Sequence, residues 1–315
     1  MKNTGRKNWW MVLPIMAIGI IGFFLANIQP GSLKPMGDNL GTDDSYYTVR
    51  DESGRIILET GLPVHVDDEY YDEINNHYVI TGVRGSDAIA VLQESPQSGN
   101  GGGAVIKSML PQLNQAIPAQ VLESDIKVGI YHTHSDECYF PTSKKLNRPG
   151  DGDIFRVGAA LADALTNQGL KVVHSKTPHD PHDINAYHRS RKTATKLMKQ
   201  ESDILIDVHR DAAPAQAYQT TLNGISTTKV MIVIGRSNPT RDANLEFAKK
   251  IKATADELYP GLLRGIFMGK GNYNQDLHPK AILFEVGTAG NYQLSAERAI
   301  RALADVIIEV VRKQN

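Results

Sequence analysis

Apolar residues recur along this chain in three rhythms, and each predicts a different kind of element. The first is an unbroken run, WWMVLPIMAIGIIGFFLA, from Trp9 to Ala26. As a helix rising 1.5 Å per residue it would be about 27 Å long, near the thickness of a bilayer core. Lys2, Arg6 and Lys7 precede it with no acid among them. Residues 1–29 are therefore expected to be a cytoplasmic tail and a retained transmembrane anchor, with the rest of the chain outside. A cleaved signal peptide is the alternative, but the run is longer than a usual signal core and no A-x-A site follows it. Residues 30–45, rich in Gly, Pro and Asp, read as a tether.

The second rhythm is a series of short runs separated by turn residues: YYTV, GRIILET, VHV, HYVITGV and AIAVL, between Tyr46 and Leu92. They predict a small β-domain over residues 46–92. It is acidic, with ten acids against two arginines from Gly41 to Ile80, and its plain reading is a spacer. Residues 93–123 contain QSGNGGG and predict a flexible linker.

The third rhythm alternates continuous apolar runs with runs spaced at three and four. IKVGIYHT, LKVVHS, DILIDVH, KVMIVIG and AILFEVG read as strands buried on both faces. DIFRVGAALADALTNQG, AYHRSRKTATKLMKQ, ANLEFAKKIKATADELY and SAERAIRALADVIIEVVRK read as amphipathic helices. Strands alternating with helices predict an α/β domain over residues 124–315, its sheet mostly parallel and flanked by helices.

Composition narrows the function classes. The 315 residues carry 34 Lys and Arg against 35 Asp and Glu, so no global basic field favours nucleic acid. The single cysteine, Cys138, excludes an internal disulfide framework and a multi-thiolate zinc site.

In open α/β sheets ligands bind at the carboxyl ends of the strands. His132 and His134 follow the first such strand, with Glu137 beyond them; His209 ends another strand and Glu285 lies in a late one. A His-x-x-Glu pair with a distant His offers three metal ligands and leaves a position for water. Glu285, between Phe284 and Val286, is an expensive carboxylate in a buried strand unless it has a metal, a partner or a proton. It is the candidate general base. Either His132 or His134 fits the first ligand position. Arg210, next to His209, is a candidate for holding an oxyanion or a substrate carboxylate, with a surface salt bridge as the plainer reading. Two further features are set aside. HDPHD, from His179 to Asp183, reads as a loop before a helix, and a Cys138–His nucleophilic pair would leave Glu285 without a role.

Four segments, IYHTHSDECYFPT, LIDVHRDA, NYNQDLHP and ILFEVGTAGN, resemble the stage II sporulation protein P family, which is similar to zinc N-acetylmuramoyl-L-alanine amidases. The resemblance implies zinc held by His134, Glu137 and His209, with His132 as the alternative to His134, and a catalytic Glu285. It implies hydrolysis of the N-acetylmuramoyl-L-alanine amide of peptidoglycan, and of peptide cross-links, during engulfment in sporulation. Stage II sporulation proteins D and M are the partners it implies. Cys138 departs from the family pattern, in which Ser commonly follows the Glu. A zinc carboxypeptidase-like peptidase uses the same residue types, and an inactive wall-binding scaffold is the reading from another class. The intact set of candidate residues argues against the scaffold.

Overall fold

The computed structural model describes residues 46–96 and 125–313. The expected anchor and tether, and the linker beyond Pro96, lie outside the described residues. Among the described residues no helix is long and apolar enough to cross a membrane.

Eleven strands form one sheet. The amino-terminal segment supplies β1 (Tyr47–Arg50), β2 (Ile56–Thr60), β3 (Glu69–Tyr71), β4 (His77–Arg84) and β5 (Asp87–Glu94). The remainder supplies β6 (Lys127–Tyr131), β7 (Lys171–His174), β8 (Ile204–Asp211), β11 (Val230–Gly235), β12 (Leu263–Gly269) and β13 (Ala281–Thr288), in the order β2-β1-β5-β4-β3-β12-β11-β13-β8-β6-β7. The acidic β-segment thus continues the main sheet, through antiparallel pairing of β3 with β12.

The sheet is mixed, where the alternating pattern predicts a mostly parallel one. β6, β7, β8 and β13 run parallel, but β11 is antiparallel to β13. The reason is local. After β8 the chain makes a hairpin, β9 (Gln219–Leu222) with β10 (Ile225–Thr228), instead of a crossover helix. Asn223 and Gly224, at φ 51° and 78°, make its turn, as two-residue hairpin loops require. β11 therefore enters beside the end of β13, with Val230 opposite Val286.

The buried strands divide their side chains between two faces. Ile204, Ile206 and Val208 of β8, with Ile282 and Phe284 of β13, join a core with helices α1 (Ile154–Asn167), α3 (Arg241–Leu258) and α4 (Gln293–Arg312). Leu205 turns to the other face and packs with Ala194 and Leu197 of α2 (Ala186–Lys199). Leu283, Met231 and Val233 turn to that face too, sharing a core with Val49, Leu58, Tyr70 and Ile80 of the β-segment. By the two-residue period of a strand, His209 and Glu285 belong to this second face.

Candidate metal centre

β8 and β13 lie side by side in register, with Glu285 directly opposite His209. That register brings two polar residues from distant parts of the chain to neighbouring positions near the ends of apolar runs. The third element is the loop after β6. It turns back on itself through backbone bonds from Arg148 to Asp136 (2.7 Å), Cys138 to Leu146 (2.9 Å) and Gly152 to Ser135 (3.1 Å). A Cβ on Gly152 would sit 2.5 Å from the Ser135 carbonyl oxygen, so only glycine lets this loop close.

The loop carries His134 and Glu137 to the end of β8. Glu137 Oε2 accepts a hydrogen bond from the Arg210 backbone N–H (2.9 Å). Its Oε1 faces both imidazoles, 3.5 Å from His134 Nδ1 and 3.7 Å from His209 Nδ1. One ligand atom from each of the three residues lies within 4.8 Å of the others. Two nitrogens and one oxygen converging on a point suit a zinc ion with an open fourth position, so the donor set fits the group expected from the sequence.

The surroundings are built around that set. His209 Nε2 lies 2.9 Å from Asp207 Oδ1, at ion-pair distance but out of line for a hydrogen bond. Asp207 is held by the Thr133 backbone N–H (2.8 Å) and hydroxyl (2.6 Å). A carboxylate behind a ligating imidazole orients the ring and raises its basicity. Burial works against charge on His209, but Asp207 and Glu137 overcome it and hold the imidazolium well above its ordinary range. Burial would raise Glu137 as well, yet His209 and His134 carry it well below the carboxylate range. His134 behaves oppositely: burial pushes it down to about 4 despite Glu137, so its ring is neutral at pH 7.

Glu285 is 3% exposed, and its Oε2 has no hydrogen-bond partner. Burial raises its proton affinity far above the carboxylate range; His209 opposes this, and Asp211 and Glu137 add to it. A buried carboxyl poised to hold a proton beside three metal-type donors is equipped for general base and acid work.

The structure brings together His134, Glu137, His209 and Glu285. It does not bring His132 to the donor set. His132 Nδ1 lies 2.8 Å from the Val208 carbonyl, which only accepts, and its Nε2 lies 2.8 Å from His174 Nε2. Both nitrogens are engaged in the fold. Arg210 is neither a surface residue nor turned outward: it is 4% exposed. Its Nε donates to Cys138 O (2.8 Å) and its Nη2 to Leu146 O (2.8 Å) and Asn147 Oδ1 (3.3 Å). These bonds clip the Glu137 loop to the end of β8. Cys138 is buried, and burial raises its thiol further from reactivity.

The segment His179–Asp183, read from sequence as an ordinary loop, lies against the site. His179 is buried, 2.7 Å from His132 O and 2.8 Å from Thr193 Oγ1. The His182 ring stacks on His134. Two His in five residues were the available signal, but nothing local tells which strand end such a loop reaches. Tyr187, which no sequence motif marks, also stands at the site, its ring edge-on to His134 at 5.7 Å.

A family model described as stage II sporulation protein P matches residues 72–308. The stage II sporulation protein P of Bacillus subtilis (strain 168) is 29% identical over 212 residues, covering 61% of this chain and 53% of the relative. The chain thus spans about half the length of the curated relative it matches. The crystal structure of an N-acetylmuramoyl-L-alanine amidase from Clostridium difficile 630 superposes with a TM-score of 0.39 at 19% identity, over 60% of this chain and 96% of that one.

Proposed function

The chain belongs to the stage II sporulation protein P family, and from that premise we propose that it is a zinc-dependent peptidoglycan hydrolase acting in sporulation. The bond cut is the amide between N-acetylmuramic acid and L-alanine; peptide cross-links are a second substrate. The observation that carries the reading is the convergence of His134, Glu137 and His209 within 4.8 Å beside an unpaired, buried Glu285.

In this reading His134, Glu137 and His209 hold the zinc, which supplies Lewis acidity toward the amide carbonyl and a water when bound. Glu285 takes the proton of the attacking water and returns it to the departing alanine amine. Burial favours the protonated carboxyl, and the charge of a bound zinc would favour the carboxylate, so both states that the cycle needs are supported at Glu285. Asp207 orients His209, and Arg210 fixes the loop bearing Glu137. The apolar run at residues 9–26 is the proposed membrane anchor, holding the site outside the cytoplasm, with stage II sporulation proteins D and M as partners.

Digestion of purified sacculi tests the proposal. The expected products are stem peptides with new L-alanine amino termini and glycan without new reducing ends. Activity should vanish in chelator and return with zinc. Release of terminal D-amino acids alone would point to a carboxypeptidase, and full activity in excess chelator would remove the metal from the mechanism.

A further inference from the structure

His182 has no part in the mechanism above, yet its setting is more specific than a loop residue needs. Its ring lies nearly parallel to that of His134, with centroids 3.9 Å apart and planes at 20°. Its Nδ1 is 3.0 Å from Asp136 Oδ1, and Asp136 is itself 4% exposed. A carboxylate oxygen only accepts, so Nδ1 carries a proton and the ring is fixed in one orientation. The backbone around it is fixed too. Arg189 Nε donates to His179 O (2.6 Å), and the His179 backbone N–H donates to Ser135 Oγ (2.8 Å). These contacts tie the segment both to α2 and to the loop that carries His134.

Nδ1 is thus committed, while Nε2 has no hydrogen-bond partner among the described residues and the side chain keeps 17% exposure. The buried His132 and His179 engage both nitrogens here, whereas His182 keeps one nitrogen open on a ring stacked against His134. We propose that His182 is a substrate-contacting residue whose Nε2 hydrogen-bonds the amide group being cut beside the metal centre. An amide offers both a carbonyl acceptor and an N–H donor, so a ring nitrogen has a partner there whichever way it is protonated. The inference rests on the amide-hydrolase reading and extends it with a residue that reading does not use.

Two substitutions separate contact from packing. His182→Asn keeps a donor near the Nδ1 position for Asp136 and deletes Nε2. His182→Gln replaces a polar atom near the Nε2 position, and both remove the ring. The first readout is zinc affinity, which His182→Asn should leave unchanged. The second is calorimetric binding of N-acetylmuramoyl-L-alanine to the zinc-loaded full chain carrying Glu285→Gln, which adding His182→Asn should weaken. The third is kcat/KM, expected to fall about 10- to 100-fold in His182→Asn and to recover in part in His182→Gln. Wild-type binding and turnover in His182→Asn would overturn the inference alone. So would a defect confined to zinc affinity, since that marks a residue that only packs on His134. Full activity of the Glu285→Gln parent would instead overturn the underlying function.

Discussion

At the scale of single residues the site is a balance between burial and neighbouring charge, and its pH behaviour follows from the signs. Glu285 holds its proton far above the carboxylate range because burial penalises its charge. A raised folded-state pKa means a contribution to stability that is complete below the unfolded value and lost as pH rises through the folded one. Metal-free Glu285→Gln should therefore be more stable than wild type at pH 8, with the gap closing toward pH 5. Calorimetry in chelator would read this as about 2–4 °C in Tm per kcal/mol relieved. His209, likewise raised above its ordinary range, must surrender a proton to become a ligand. Zinc affinity should accordingly increase with pH across neutrality, as measured by competition with a chelating dye between pH 6 and 8. Removing the carboxylate behind that ring, in Asp207→Ala, should weaken zinc binding about 10- to 100-fold.

At the scale of elements, the segment between β6 and α1, mostly loop, is what holds two of the three candidate ligands in place. Its turns close on backbone hydrogen bonds, and Asp153 at the start of α1 ties in both ends, accepting from the Tyr139 N–H (3.1 Å) and from Arg148 Nη2 (2.7 Å). Gly152 is the tightest point. Its missing Cβ would meet the Ser135 oxygen at 2.5 Å and the Glu137 oxygen at 2.7 Å, and backbone atoms cannot swing aside. Gly152→Ala should cost about 1–3 kcal/mol in urea denaturation and lower zinc affinity with it. An unchanged denaturation midpoint would show that the loop has slack.

At the scale of the whole molecule, the acidic β-segment is part of the sheet that carries the site. β3 covers the edge of β12, Arg264 Nη1 donates to the Glu59 carbonyl (2.9 Å), and the Gly61 N–H donates to Asp211 Oδ1 (2.7 Å) just beyond His209. A chain beginning at residue 125 would expose the β12 edge and orphan the buried Arg264 guanidinium. It should aggregate on size-exclusion chromatography under conditions where a chain beginning at residue 46 elutes as a discrete species.

By itself the sequence determined the four long helices of residues 125–313 and five of the strands, β6, β7, β8, β11 and β13, because long runs of period 3.6 and continuous apolar runs leave few alternatives; the short β9 and β10 and the glycine-interrupted β12 carry no such pattern. It also determined the identity of the chemical groups, since a carboxylate inside AILFEVG and a histidine ending LIDVH are costly without a task. The tertiary structure decided what depends on contacts distant in sequence. The direction of β11 came from a hairpin, and the place of the β-segment from edge pairing with β12. The choice between His132 and His134 came from the Val208 carbonyl and the His174 ring, which draw one imidazole into the fold and leave the other to face Glu137. The two lie two residues apart, so local pattern treats them alike. Only their neighbours in space distinguish a candidate ligand from a brace.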